Sequence, residues 1–230
     1  MYLLPLYFQT IRGVSAVSSG IHMLPLIIAM TIFSIGAAAF ITSMGMPMFI
    51  MLSGSVLACI GSGLVHTFDM NTPASNWIGY LILLGFGYGF TLQLGIIVGQ
   101  ASSKPEDIAV TTAAINCILF LYNHANLIVT QTYGGALFVA VGQNIFSNKL
   151  IQGIMASVTG VDPMTVISAG ATNLHNALNS EQLSQVLVIF MDSLKDAFIL
   201  PIALTAVGFF LALGLKKNMR VKGGIKLAVA

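Results

Sequence analysis

Charge is what this sequence has least of. Lys, Arg, Asp and Glu make up 7% of its 230 residues, against 57% hydrophobic side chains. A soluble domain carries about a quarter of its residues as charged side chains. With so few, a globule of this size could not present an ordinary wetted surface. Acids are missing from the long apolar runs. Asp69, Glu106, Asp107, Asp162, Glu181, Asp192 and Asp196 fall in polar stretches or at the ends of apolar ones. No Ser-His-Asp set, metal-spaced His/Cys cluster or converging pair of acids can be assembled, so neither an enzyme nor a cofactor is expected. Cys59 and Cys117 each stand inside an apolar stretch, as packing residues rather than a disulfide. Net charge is only +2. Most of the basic residues sit in the last fifteen positions, which excludes the basic folded face that nucleic acid would require.

What the chain does have is length without charge. Its mean hydropathy is +0.92, and each bilayer crossing needs about 20 apolar residues. The first full span is expected over 20–41, with Pro25 tolerated near its start, and a tight turn over 43–46 follows. A second span is expected over 47–65, then a polar loop over 66–76 with Asp69 and Pro73. Trp77 and Tyr80 stand where an interfacial aromatic belt would lie, opening a third span over 77–98. Ahead of these, Tyr2–Phe8 is too short to cross and reads as the end of a helix begun upstream. The stretch 9–19 reads as a turn or loop containing Arg12 and Gly13.

Glycine is abundant, at 23 residues without a period of three. That excludes collagen and suits close helix packing in a membrane. The run Gly85-Phe86-Gly87-Tyr88-Gly89 is no phosphate loop, because no strand precedes it and it lies inside an apolar span.

Beyond Lys104-Pro105-Glu106-Asp107, which suits a helix start, residues 108–146 carry no formal charge. They are too long for one ordinary span and barely long enough for two, with Asn123-His124-Ala125-Asn126 as the place for a turn. The domain layout expected is a membrane helical region over 1–146, an extramembrane loop with short helices over 147–196, a final transmembrane helix over 197–215 and a basic tail over 216–230. The tail places the C-terminus in the cytoplasm and 147–196 outside. If 108–146 crosses once, the Asp69 loop also lies outside; if twice, everything earlier inverts.

Several stretches carry a resemblance. Leu4-Pro5-Leu6-Tyr7-Phe8-Gln9, Arg12-Gly13-Val14-Ser15-Ala16, and Ser19-Gly20 up to Leu24-Pro25 resemble a junction in fungal major facilitator drug:proton antiporters of the fourteen-span subgroup. Trp77-Ile78-Gly79-Tyr80 with Leu92-Gln93, and the run Gly134-Gly135-Ala136-Leu137 through Asn144-Ile145-Phe146, are similar to the same subgroup. The matches keep their order over nearly the whole chain but resemble only the last five or so spans. The resemblance implies an all-α membrane protein: a partial major facilitator helical bundle of about five transmembrane helices plus the end of another. It implies efflux of small amphipathic compounds or toxins by proton antiport, as part of a larger, multi-pass transporter of the plasma membrane. Its partners would be the lipid bilayer, substrate, protons and a missing N-terminal bundle. The alternative is an incomplete, non-transporting membrane fragment that packs against a partner. The family pattern runs from Ala113-Ala114-Ile115-Asn116 almost directly into Gln131-Thr132-Tyr133. Here the segment 117–130 intervenes, which suggests an imperfect gene model or a retained intron.

Alternating access demands a cavity that is partly hydrated and partly apolar. Candidates for lining it are Gln93, Phe90, Gln100, His22, Asn116 and Gln131. Amides are costly in hydrocarbon unless paired, so they are expected to face protein or a hydrated cavity. Gln93 and Gln100 are seven apart and share a helix face. Phe90 and Tyr88 are suited to stacking on an aromatic substrate. Histidine is the side-chain type suited to exchanging protons near neutrality.

Overall fold

The computed structural model describes residues 2–44, 47–91, 107, 110, 134–158, 160–167, 174 and 178–214, and these contain helices and turns but no strand. Helix α1 spans Leu3–Leu6 and continues as a wider π turn over Tyr7–Ile11; α2 spans Ala16–His22 and α3 Leu24–Met44. Helix α4 follows over Pro47–His66, then α5 over Ala74–Thr91, α6 over Gly134–Ser157 and α7 over Ser180–Gly214. The segment 117–130 lies outside the described residues.

Among the described residues, two stretches are long and apolar enough to cross a membrane. Ala16–Ile41, which joins α2 to α3, has a mean hydropathy of 2.3, and Pro47–His66 one of 2.0. In a soluble protein such helices would be buried. Here only 22% and 39% of their apolar cores are covered by protein. Ile28, Ile32 and Ile35 of α3 and Phe49 and Ile60 of α4 face outward. Side chains of this kind stay outside only where the surroundings are also apolar.

The chain divides into two compact units. One comprises Met1–Pro25, Ser62–Leu81 and Phe138–Ala203, and the other Leu26–Gly61, Ile82–Leu137 and Leu204–Ala230.

In the second unit, glycine sets how closely the helices approach. A Cβ on Gly85 would fall 2.5 Å from the carbonyl oxygen of Leu26, and one on Gly89 would fall 2.5 Å from that of Met30. Gly87, on another face of α5, meets the backbone of Ala58 in α4. The glycine spacings of two and four thus seat α5 against α3 and α4. Around this contact Phe33 and Phe86 stack at 3.7 Å between ring centres, and Phe86 meets Phe90 edge-on at 4.6 Å. Ala37, Ile41 and Ile50 are buried nearby.

The first unit holds Arg12, Asp69, Lys149, Asp162, Glu181, Asp192, Lys195 and Asp196. In it α6 packs on α7 through Phe146 against Phe190, at 4.9 Å between ring centres, and through Gly153 against Ile189. Lys149 pairs with Asp196 at 3.0 Å.

Several boundaries differ from those expected. The stretch 9–19 is mostly helical, because the π turn carries α1 to Ile11 and the Ser15 hydroxyl starts α2 by accepting from the Ser18 amide at 3.2 Å. Helix α6 continues past Phe146 to Ser157, and α7 begins at Ser180, well ahead of Ala197. Frequent polar residues do not stop a helix whose apolar face is covered, and Leu150, Ile154, Val186 and Leu194 are all buried. Pro201 lies inside α7, where a membrane helix tolerates it.

Candidate functional site

Of the six residues expected to line a cavity, Gln93, Gln100, Asn116 and Gln131 lie outside the described residues. Phe90 and His22 are described, and they belong to different units. Phe90 is half-buried in the aromatic stack with Phe33 and Phe86, so packing accounts for its ring. Tyr88 is also half-buried on α5.

His22 lies in a built pocket in the first unit. It closes α2, and its ring stacks on Phe8 of the π turn at 5.0 Å with an interplanar angle of 17°. Trp77 of α5 meets both rings edge-on, at 4.9 Å from His22 and 5.1 Å from Phe8. The three rings form one side of a cavity of about 340 Å³, completed by Arg12, Val14 and the stretch 71–74. The imidazole Nδ1 is buried and has no hydrogen-bond partner among the described residues.

Hydrogen bonds spanning some 60 residues of sequence hold this pocket. The chain turns at Gly13, whose φ of 63° favours glycine. That turn carries Arg12 back to the α4–α5 loop, where its guanidinium donates to the Thr72 carbonyl. The Tyr7 hydroxyl donates to the Asp69 carbonyl at 2.8 Å. The loop is itself rigid: the Asp69 amide donates to the Thr72 hydroxyl at 2.7 Å, and that hydroxyl donates to the Asp69 carbonyl at 3.0 Å. On the other side, the Ser19 hydroxyl ties α2 to α1 by donating to the Pro5 carbonyl at 3.1 Å. The loop's outer edge carries a longer pairing, Lys195 to Asp69 at 3.9 Å.

A second cavity, of about 390 Å³, lies between α6 and α7 and is lined by Lys149, Gln152, Ser157, Asp192, Ser193 and Asp196. Its Lys149–Asp196 pair is substantially exposed on both sides. Elsewhere in α6, Gln143 has a buried side-chain oxygen with no partner among the described residues. Among the described residues no group of His, Cys, Asp and Glu could hold a metal ion.

The sequence puts His22 in the first apolar run and Trp77 at the start of the third, but does not bring the two together. It places Arg12 in a turn or loop with Gly13 but gives no sign of the bond to Thr72. The accepting group is a backbone carbonyl, which leaves no mark in the sequence.

No family model matches the chain. Individual relatives do. An MFS acetylaranotin efflux transporter of Aspergillus terreus is 40% identical over 220 residues, which is 96% of this chain and 46% of that protein. An MFS-type efflux pump of Arthroderma benhamiae is 38% identical over 216 residues, covering 94% of this chain and 38% of the pump. An MFS thioclapurine efflux transporter of Claviceps purpurea is 37% identical over 197 residues, or 86% and 34% of the two chains. These relatives are transporters and not enzymes, in agreement with a sequence that offers no reactive set. The chain spans less than half the length of the curated relatives it matches. Over the stretch that it covers, the chain is similar to fungal MFS-type efflux transporters.

Proposed function

We propose that this chain is the C-terminal part of a fourteen-span, proton-coupled exporter of small amphipathic compounds in the plasma membrane. It works only when joined to an N-terminal bundle. The observation that carries the reading is the 40% identity to an efflux transporter sustained over 96% of the chain. Alternating access closes a pathway between two bundles, and one bundle has no opposite wall. The carboxylate that couples substrate to protons would then lie in the N-terminal bundle.

Five crossings and one external segment are the layout we infer. A 35-residue helix is about 52 Å long, well beyond the roughly 30 Å of a bilayer core. Helix α7 therefore has length to cross with 197–214 and to project with 180–196. Its Lys195 reaches Asp69, and its Asp196 reaches Lys149 of α6. These pairings favour one common polar level for the α4–α5 loop and the α6–α7 ends. On that reading α6 supplies the return crossing, 108–146 crosses once, and Lys104 lies on the cytoplasmic side with the basic tail. The substrate pathway would draw on Gln93, Gln100, Asn116, Gln131, Phe90 and His22.

Dye efflux from proteoliposomes with an imposed proton gradient tests the function. The chain alone should show none, and the chain joined to the N-terminal portion of a relative should show proton-dependent efflux. Efflux by the chain alone would contradict the need for a second bundle. Silence from the joined protein, properly folded, would favour the rival reading of a non-transporting membrane fragment that packs against a partner.

A further inference from the structure

We propose that the cavity bounded by Arg12, His22 and Trp77 is a binding site for a phosphate group, supplied by the headgroup of a membrane phospholipid. The proposal stands apart from transport, because it concerns what this chain binds at the rim of its helices.

The electrostatics come first. Arg12 is half-buried, and among the described residues no carboxylate lies within ion-pair distance of it. Its bond to the Thr72 carbonyl uses one of five guanidinium donors and fixes the direction of the rest. Among the described residues no acid lines the cavity, whose polar contributions come from Arg12, His22, Asn71 and Thr72. A cation held there without a counter-ion selects for an anion, and planar guanidinium donors match the tetrahedral oxygens of phosphate.

Shape adds a second argument. At about 340 Å³ the cavity is far larger than one phosphate needs, and its remaining walls are Phe8, Val14, Pro73, Ala74 and Trp77. One cationic corner with an apolar and aromatic remainder suits a phosphate carrying a glycerol and the first carbons of acyl chains. The position agrees. The cavity lies beside the α4–α5 loop and a tryptophan, and on the proposed topology that loop sits at the external headgroup level.

The rigidity of the site is a third point. Arg12 and the loop opposite are joined before any ligand arrives, through Arg12 to Thr72 and Tyr7 to Asp69. Ordering the site therefore costs the ligand little.

Trp77 is the only tryptophan in the chain and forms a wall of the cavity, so its fluorescence reports on the site directly. The chain, purified in a phosphate-free maltoside detergent, would be titrated separately with dihexanoyl phosphatidylglycerol, inorganic phosphate and dihexanoylglycerol. Saturable change is expected with the phospholipid and none with the neutral diacylglycerol. Arg12→Gln should weaken binding about tenfold or more, and Arg12→Lys should weaken it less. Saturation by inorganic phosphate at similar concentrations would keep the phosphate site but assign it to a free anion. An equal response to the neutral diacylglycerol, or no saturable response to either phosphate probe, would overturn the proposal. Because those controls use the unaltered chain, the outcome stands even if Arg12→Gln fails to fold.

Discussion

The two units of this chain are held together by different physics. In the unit containing α5 residues 82–91, helices approach so closely that glycine is the only residue that fits at three positions of α5 and at Gly54 and Gly61 of α4, and phenylalanine rings fill the space beside them. In the unit containing the α1–α2 and α4–α5 loops, side chains reach across to backbone carbonyls, and oppositely charged groups pair. The contrast follows from the solvent each must meet. Apolar side chains gain nothing from burial when lipid lies outside, so association rests on close van der Waals contact. Where loops must turn, backbone groups need partners, and hydrogen bonds take over.

Substitutions can break this comparison, and the largest effect is expected at Gly87. Its neighbour across the contact is the Ala58 backbone, which cannot rotate aside. Gly87→Val should cost about 3 kcal/mol or abolish the folded state, seen as loss of a monodisperse peak in detergent or a large drop in Tm. Gly79, on the same helix, has open space where a Cβ would go. Gly79→Ala should be neutral or slightly stabilising, since alanine is the better helix former by about 1 kcal/mol. Equal damage from both changes would refute the account of packing by close approach.

The next effect belongs to the hydrogen-bonded unit. Tyr7 is fully buried, and its hydroxyl holds the Asp69 carbonyl. Tyr7→Phe should cost about 1 kcal/mol, measured by thermal unfolding in the same detergent, and should raise hydrogen exchange in 67–73. Smaller again is Lys149→Ala. The Lys149–Asp196 pair is exposed, with 57% and 40% of the two side chains accessible. Its loss should cost about 0.5 kcal/mol or less, and high salt should erase the difference. The smallest effect is expected at Ile32, which faces outward with 59% of its surface uncovered. Ile32→Ala should leave Tm unchanged. A marked fall would mean that this face is covered by protein rather than lipid.

Some of this architecture can be read from residues alone. Helices α3 and α4 lie almost where the uncharged runs predict, because a run of about 20 apolar residues has few other ways to satisfy its backbone. The glycines of α5 were recognisable as packing positions, although not which neighbour each one meets. The ends of α6 and α7 are legible only in part: apolar spacing over 182–194 marks a helix there, but not its continuity with the final span. Lys149 and Gln152 look like loop residues until the opposite face of their helix is known to be buried. The pocket was legible only in pieces. Its members come from the π turn, the turn that follows it, α2, the α4–α5 loop and the start of α5, and the bonds that gather them end on the carbonyls of Asp69 and Thr72. Any residue at those positions would supply the same acceptor.

The central claim is that the outward isoleucines of α3 and α4, together with Phe49, face hydrocarbon. Alkaline carbonate washing of membranes from cells expressing the chain, followed by ultracentrifugation, tests it most directly. The account predicts that the chain stays in the pellet and is released only by detergent. Recovery of a folded monomer from the supernatant would contradict it.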